Sequence, residues 1–301
     1  MHALYGGVVP ELASRSHIET VSQLTCSCLE ESGLIKNDID AVAVTFAPGL
    51  IGAVLVGVNF AKGVAMSLNK PLIPVHHIKG HMAANYLAFP NLEPPFLCVA
   101  ISGGNTLLVN VKDYTDMEII GSTRDDAAGE CFDKTARVLG LPYPGGIHID
   151  RLSQGGDSCK YSFPIGHVEG YPYDFSFSGL KTAVINLVHN AEQKGEELDR
   201  SALAASFTRT VSESLVPRAV GAAKEFGLTK MVIAGGVAAN SVIRADFQKA
   251  AKNNGLEIFM PPLRLCGDNA AMIASQGYYE YIAGNTANMD LNGFATREID
   301  G

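Results

Sequence analysis

Phe96-Leu97-Cys98-Val99-Ala100-Ile101, then Ser102-Gly103-Gly104-Asn105, then Thr106-Leu107-Leu108-Val109-Asn110-Val111, is the stretch on which the fold turns. Two β-rich runs joined by a short turn with paired glycines spell a β-hairpin. Met117 to Gly121 adds a third strand. Downstream, helical stretches are expected to dominate from Ala127 to Phe226. A strand at Met231-Val232-Ile233-Ala234 follows, then a turn at Gly235-Gly236, a helix to about Lys252 and a strand at Leu256-Glu257-Ile258-Phe259. A last helix is expected from about Asn269 to Ile282.

Moving outward toward the N-terminus, the chain shows only the later part of that plan. Ile18 to Ser32 patterns as an amphipathic helix. Asp40 to Phe46 is a β run stopped by Ala47-Pro48-Gly49, and a small-residue helix follows from about Gly52 to Leu68. Pro71-Leu72-Ile73-Pro74-Val75 is a strand that delivers His76 and His77 at its C-terminal end. If the halves repeat one α/β unit, the first lacks its opening three-strand meander and the sequence begins in mid-fold. The expected division is a shortened N-terminal lobe over 1–93, carrying the histidines, and a C-terminal lobe over 94–301 with a helical insert.

The 301 residues suit two linked lobes, and 47% hydrophobic residues supply ample material for buried sheets. The net charge of −8 argues against a free-standing nucleic-acid binder, though not against an RNA gripped with the help of partners. Six cysteines show no framework spacing; Cys26-Ser27-Cys28 lacks the second pair a zinc site needs. Met1-His2-Ala3-Leu4-Tyr5 has no signal-peptide character. No apolar run is expected to reach the roughly 18 residues of a membrane span. A cytoplasmic enzyme is the expectation.

His77-Ile78-Lys79-Gly80-His81 carries the first chemistry. Residues four apart share a helix face, so both imidazoles can reach one ion. The zincin peptidase motif requires Glu directly after the first His, and Ile78 stands there, so the motif provides no base for a metal-bound water. The bland alternative is a pair of histidines at a strand–helix turn. Asp268, in Cys266-Gly267-Asp268-Asn269, is either a helix N-cap or the third ligand of a His-His-Asp site. The turns Ser102-Gly103-Gly104 and Gly235-Gly236 match neither Walker A nor the Rossmann fingerprint, yet glycine turns at strand ends can cradle phosphate through backbone N–H groups. Asp125 and Asp126 read as dipole-complementing residues of a helix start. Asp133, about two turns in, is a candidate for ribose hydroxyls, and Tyr143-Pro144-Gly145-Gly146 a turn that sets Gly146 against a sugar or base.

Together these segments resemble the universal tRNA N6-adenosine threonylcarbamoyltransferase family, its bacterial TsaD branch in particular. The matching blocks are Tyr5 to Arg15, His76 to His81, Ser102 to Thr106, Asp125 to Lys134, Tyr143 to Gly146, Phe175 to Lys181, Gly235 to Asn240 and Asp268 to Ala274, in family order. The resemblance implies an actin–hexokinase-like α/β fold. It also implies transfer of a threonylcarbamoyl group from threonylcarbamoyl-AMP to N6 of the adenosine 3′ to the anticodon, in tRNAs reading codons that start with A. Carried over by position, His77, His81 and Asp268 would bind one divalent ion, iron or zinc. Ala100, Ile101, Ser102, Gly103, Gly104, Asp133, Gly146, Asp150 and Asn240 would line the adenylate site, and no separate acid or base is assigned. The implied partners are tRNA, a separate threonylcarbamoyl-AMP synthase, a TsaB-like paralogue and a TsaE-like ATPase. Two departures stand out. Position 79 is often Glu in the family and is Lys here. The family's opening Ile-Glu-Thr-Ser-Cys-Asp block is absent, and upstream codons are expected to supply it. The alternatives carried forward are an inactive nucleotide-binding scaffold of the same complex and a metalloprotease.

Overall fold

A computed structural model of the chain describes Gly7 and residues 9–299. Tyr5, Gly6 and Val8 of the first matching block lie outside the described residues, as does Met1 to Tyr5. The chain forms two compact units. One comprises Met1–Pro90, Tyr114–Asp116 and Asn269–Gly301, and the other Asn91–Asp113 and Met117–Asp268.

The second unit is built on β3 (Phe96–Ile101), β4 (Thr106–Val111), β5 (Met117–Ser122), β6 (Lys230–Ala234) and β7 (Glu257–Phe259), in sheet order β5-β4-β3-β6-β7. β3 pairs antiparallel with β4, Phe96 opposite Val111 and Ile101 opposite Thr106, as the hairpin reading expects. Its other edge pairs parallel with β6, Ala100 opposite Ala234. Every residue of β3 is buried, which is why it reads as an unbroken apolar run: a strand covered on both faces has no polar alternation to show. α7 (Arg200–Glu225) packs on it; α5 (Gly145–Ser153) and α8 (Ser241–Asn254) pack on α7, α4 (Ala128–Val138) on α5, and α6 (Ser178–Lys194) on α4. Leu97, Val99 and Ile101 share a core with Phe132 of α4 and with Phe207, Val211 and Leu215 of α7. The Phe132 and Phe207 rings meet edge to face, with centroids 5.0 Å apart, a geometry that contributes about 0.5–1.5 kcal/mol beyond burial.

The helical insert is interrupted. Between α5 and α6, residues 154–177 form neither helix nor named strand. Gly155, Gly156, Pro164, Gly166, Gly170 and Pro172 break any helical run, and neighbouring side chains satisfy the exposed backbone instead. Arg218 donates to Gly166 O at 2.6 Å, and Ser206 Oγ accepts from Tyr161 N at 3.2 Å.

The first unit contains α1 (Pro10–Ser32), β1 (Val42–Ala47), α2 (Ile51–Leu68), β2 (Leu72–His76), α3 (His77–Ala88) and α9 (Ala270–Ile282). Among the described residues its sheet is the parallel pair β1–β2, Val42 opposite Leu72. α1 starts eight residues before the expected Ile18. Its first two turns hold Leu12 and the buried Ala13 but no apolar residue from Ser14 to His17, too little for an apolar period; Pro10 begins them and Glu11 lies in the first turn, where a carboxylate complements the dipole. A Glu11–Arg15 pair at 2.6 Å is exposed and adds little. α2 corrects a second expectation: by length and composition alone it is apolar enough to cross a membrane. In the fold it packs on β1 and α1, with Val54, Val58, Ala61 and Ala65 buried. α9 was expected in the C-terminal lobe, but it packs on α3, β1 and β2 and so belongs to the first unit. At Gly80 of α3 an added Cβ would stand 2.6 Å from Ile273 Cδ1 of α9, so glycine permits the close approach of these two helices.

Candidate functional site

α3 begins where β2 ends, and the junction is made by His76. Its Nδ1 accepts from Ile78 N at 3.3 Å, capping the helix, while its Nε2 donates to Arg297 O at 3.0 Å. Burial, aided by the charges of Lys79 and His77, outweighs the backbone bond and lowers its pKa to about 4. His76 is therefore a neutral structural cap with both nitrogens committed.

His77 and His81 lie one turn apart on α3, ring centroids 4.6 Å apart and planes at 75°. His81 is buried and His77 half-buried. The N-cap of α9 is Asn269, whose Oδ1 accepts from Met272 N at 2.8 Å. Asp268 is therefore not the cap, and its exposed carboxylate directly precedes the cap. The ligand atoms of His77, His81 and Asp268 all lie within 4.8 Å of one another. A single ion bonds such donors at about 2.0–2.2 Å, so modest side-chain rotations would bring the three groups onto one ion. Two imidazoles and a carboxylate are a borderline donor set suited to zinc or iron.

Ile78 is fully buried. The position where a peptidase base would stand is part of the core, and the metalloprotease reading finds no support in this geometry. Lys79 turns aside, with Nζ 3.1 Å from Thr115 O and 3.7 Å from Glu280 Oε1.

In the second unit β3 and β6 run parallel and in register, so both glycine turns leave the sheet side by side at its C-terminal edge. Ser102 N donates to Asn105 O at 2.8 Å, closing the first turn, and an added Cβ at Gly103 or Gly104 would meet open space. Gly129, in the first turn of α4, leaves no room for a side chain: a Cβ would lie 2.4 Å from Ser102 O. Gly235 has φ +92°, and a Cβ there would sit 2.4 Å from Ile101 O. The second turn is thereby pressed onto the end of β3, and Gly236 faces open space. Ala100 and Ile101 are buried within the paired strand, so only their backbone is placed to serve a ligand.

Asp133 Oδ1 accepts from Gly145 N at 2.7 Å and so anchors the 143–146 turn. Burial raises its pKa against the opposing pull of the Gly145 and Gly146 amides. Tyr143 in that turn is raised too, first by burial and then by the charges of Asp133 and Asp268. Asp150 Oδ1 accepts from Ser241 N at 3.1 Å and Oγ at 2.7 Å, tying α5 to the start of α8. Asn240 caps α8, its Oδ1 accepting from Val242 N and Ile243 N at 3.1 and 3.0 Å. Its Nδ2 is buried and has no hydrogen-bond partner. A buried donor left unmade costs about 1–3 kcal/mol, a cost that an acceptor from a ligand or an ordered water would relieve.

The dipole reading of Asp125 and Asp126 is corrected. Asp125 accepts from Ser176 Oγ at 2.6 Å, Phe177 N at 2.7 Å and Ser178 N at 3.2 Å, fastening the start of α6. Burial pushes its pKa up, but these hydrogen bonds prevail and hold it below the ordinary value. Asp126 pairs with Lys134 at 2.8 Å and Lys181 at 2.5 Å, and its pKa is lowered likewise by these lysines against burial. No local pattern announces partners some fifty residues away.

Comparison with known proteins follows the same outline. The family model described as TsaD: tRNA N6-adenosine threonylcarbamoyltransferase matches residues 1–275. A protein of that name from Clostridium botulinum (strain 657 / Type Ba4) is 48% identical over 291 residues, covering 97% of this chain and 86% of the relative. Another from Moorella thermoacetica is 50% identical over 292 residues, covering 97% and 85%. Among solved structures, full-length HypF in its phosphate- and nucleotide-bound form aligns with a TM-score of 0.60 at 17% identity, over 86% of this chain and 40% of HypF. HypF of T. kodakarensis gives 0.62 at 18% identity, over 85% and 42%. At such identity the HypF structures speak to the fold alone, and they agree with the actin–hexokinase-like α/β class.

Proposed function

The chain belongs to the tRNA N6-adenosine threonylcarbamoyltransferase family, and from that premise we propose how its residues serve the transfer. The threonylcarbamoyl group passes from threonylcarbamoyl-AMP to N6 of the adenosine 3′ to the anticodon, in tRNAs reading codons that start with A. The observation that carries the adenylate assignment is the buried Asn240 Nδ2 at the α8 N-terminus, beside two glycine turns on adjacent parallel strands.

Gly103, Gly104 and Gly236 offer backbone N–H groups to the phosphate, where a side chain would stand in the way. Asn240 Nδ2 donates to the same nucleotide. Asp133 holds the 143–146 turn, and with it Gly146, against the ribose, while Asp150 fixes α5 against the α8 start. His77, His81 and Asp268 would hold one divalent ion per chain, iron or zinc. Such an ion, when bound, supplies Lewis acidity toward the threonylcarbamoyl carbonyl. In the transfer the N6–carbonyl carbon bond forms, the bond from that carbon to the phosphate oxygen breaks, AMP leaves with the electron pair, and N6 loses a proton. The adenine amine is a weak nucleophile because its lone pair is delocalised into the ring. Positioning must therefore supply much of the rate, and no side chain is assigned as base.

With a net charge of −8, the chain is proposed to grip tRNA with partners, a TsaB-like paralogue and a TsaE-like ATPase, and to take its adenylate from a separate synthase in the cytoplasm. Incubation with these partners, tRNA, threonine, bicarbonate and ATP, followed by nucleoside analysis, should yield threonylcarbamoyladenosine. Its absence with every component present would overturn the reading.

A further inference from the structure

Arg244 stands one turn into α8, and its side chain runs back toward the helix N-terminus, as long helical side chains do. Its Nη1 donates to Ala238 O at 2.9 Å and to Pro261 O at 3.1 Å, and lies 3.9 Å from Cys266 Sγ. Ala238 belongs to the 3₁₀ turn Gly236–Ala239, directly after Gly235. Pro261 and Cys266 belong to the segment that leads to Asp268. The Cys266 thiol in turn donates to the carbonyls of Pro261 and Pro262, each at 3.7 Å, so that segment is closed on itself and then fastened to Arg244. No carboxylate pairs with the guanidinium among the described residues. Its contribution is thus directional: a planar cation making charge-assisted bonds to two carbonyls that belong to different loops.

We propose that Arg244 is a positioning residue that makes the second glycine turn and the 261–268 segment move as one body, and so couples adenylate binding to the placement of the Asp268 carboxylate. The inference rests on the adenylate and metal reading given above. A guanidinium suits the task because its N–H directions are fixed. A lysine ammonium at the end of a flexible stem can serve one carbonyl but not hold the two loops in a set relation.

The test uses the full chain as wild type, Arg244→Lys and Arg244→Met. Without ligands, amide hydrogen exchange should rise about tenfold in Arg244→Met over both 236–240 and 263–267, and stay unchanged in the β3–β4 hairpin. Arg244→Lys should protect one of the two segments and not the other. AMP and Zn²⁺ are then titrated separately and together. In the wild type each should tighten the other by several-fold, because a coupling between sites is reciprocal. In Arg244→Met each affinity should fall about tenfold and the mutual tightening should vanish, a change that a general loss of stability would not produce. The proposal is overturned by unchanged exchange in either segment, by no mutual tightening in the wild type, or by tightening that survives in Arg244→Met. Should the wild type bind neither probe, the adenylate and metal reading fails and the proposed coupling with it. The exchange arm would still show whether Arg244 orders the two loops.

Discussion

At α3 the proposed chemistry sits on side chains, whereas at the ends of β3 and β6 it sits on the backbone. His77 and His81 offer ring nitrogens one turn apart on a helix, and the identity of each side chain is what the proposed site depends on. The glycine turns offer main-chain N–H groups, and what matters there is the absence of a Cβ at Gly129 and Gly235. The first kind of site fails when a functional group is removed. The second fails when an atom is added. On the proposed reading, the glycine turns should therefore tolerate side-chain exchange in the buried strands that support them, while the histidine pair should tolerate none.

The largest effect should come from the side-chain site. His81→Ala is expected to abolish stoichiometric metal and lower transfer about 100-fold or more, given that outer-shell changes alone cost 10–100-fold; metal analysis beside a single-turnover assay reads both. Full activity without metal would break the comparison at its first term. Next, Gly235→Ala forces a side chain into φ +92° and against a carbonyl. A destabilisation of about 1–3 kcal/mol is expected, with AMP affinity reduced more than tenfold and zinc binding by the histidines kept. Asn240→Ser retains an N-cap oxygen but loses Nδ2, so thermal stability should change little while AMP binding weakens about tenfold, near one hydrogen bond's net worth. Ile101→Val should do the reverse, costing about 0.5–1.5 kcal/mol of stability and leaving AMP affinity unchanged.

The smallest effect concerns the acidic residues and is read along the pH axis. Asp125 and Asp126 have folded pKa values held below the ordinary carboxylate value of about 3.9. Their stabilisation is fully present above that value and is lost as pH falls through the lowered ones, since the unfolded chain then binds more protons. Asp125→Asn should flatten the acid limb of the stability curve below about pH 4. An unaltered limb would show that the Asp125 contacts at the α6 start do not carry it.

What could be read from the sequence was whatever is local. The β3–β4 hairpin announces itself because its turn and both strands lie within sixteen consecutive residues, and the histidine pair because one helical turn sets its spacing. The α1 start is hidden, since Leu12 and Ala13 are followed by four polar residues and set up no apolar period. Residues 154–177 were taken into a helical region although their backbone is satisfied by α7 side chains that no local window contains. The choice between Asp268 and Asn269 as cap hinged on one hydrogen bond. The role of Asp125 lay some fifty residues away from it, and the place of α9 beside α3 farther still. Long-range partners are the common cause of these misses, because periodicity reports which face of an element is apolar and not what will cover it.

The seating of α9 against α3 has a consequence for synthesis. The histidine helix leaves the ribosome by residue 88, but the helix that covers it, at residues 270–282, follows about 180 residues later. At about 5–20 residues per second that is a delay of roughly 10–35 s. Through that interval the nascent chain carries the His77–His81 pair, an apolar α2 and the β1–β2 pair still waiting for a covering layer. The proposed His77, His81 and Asp268 set is likewise incomplete until residue 268 has been added.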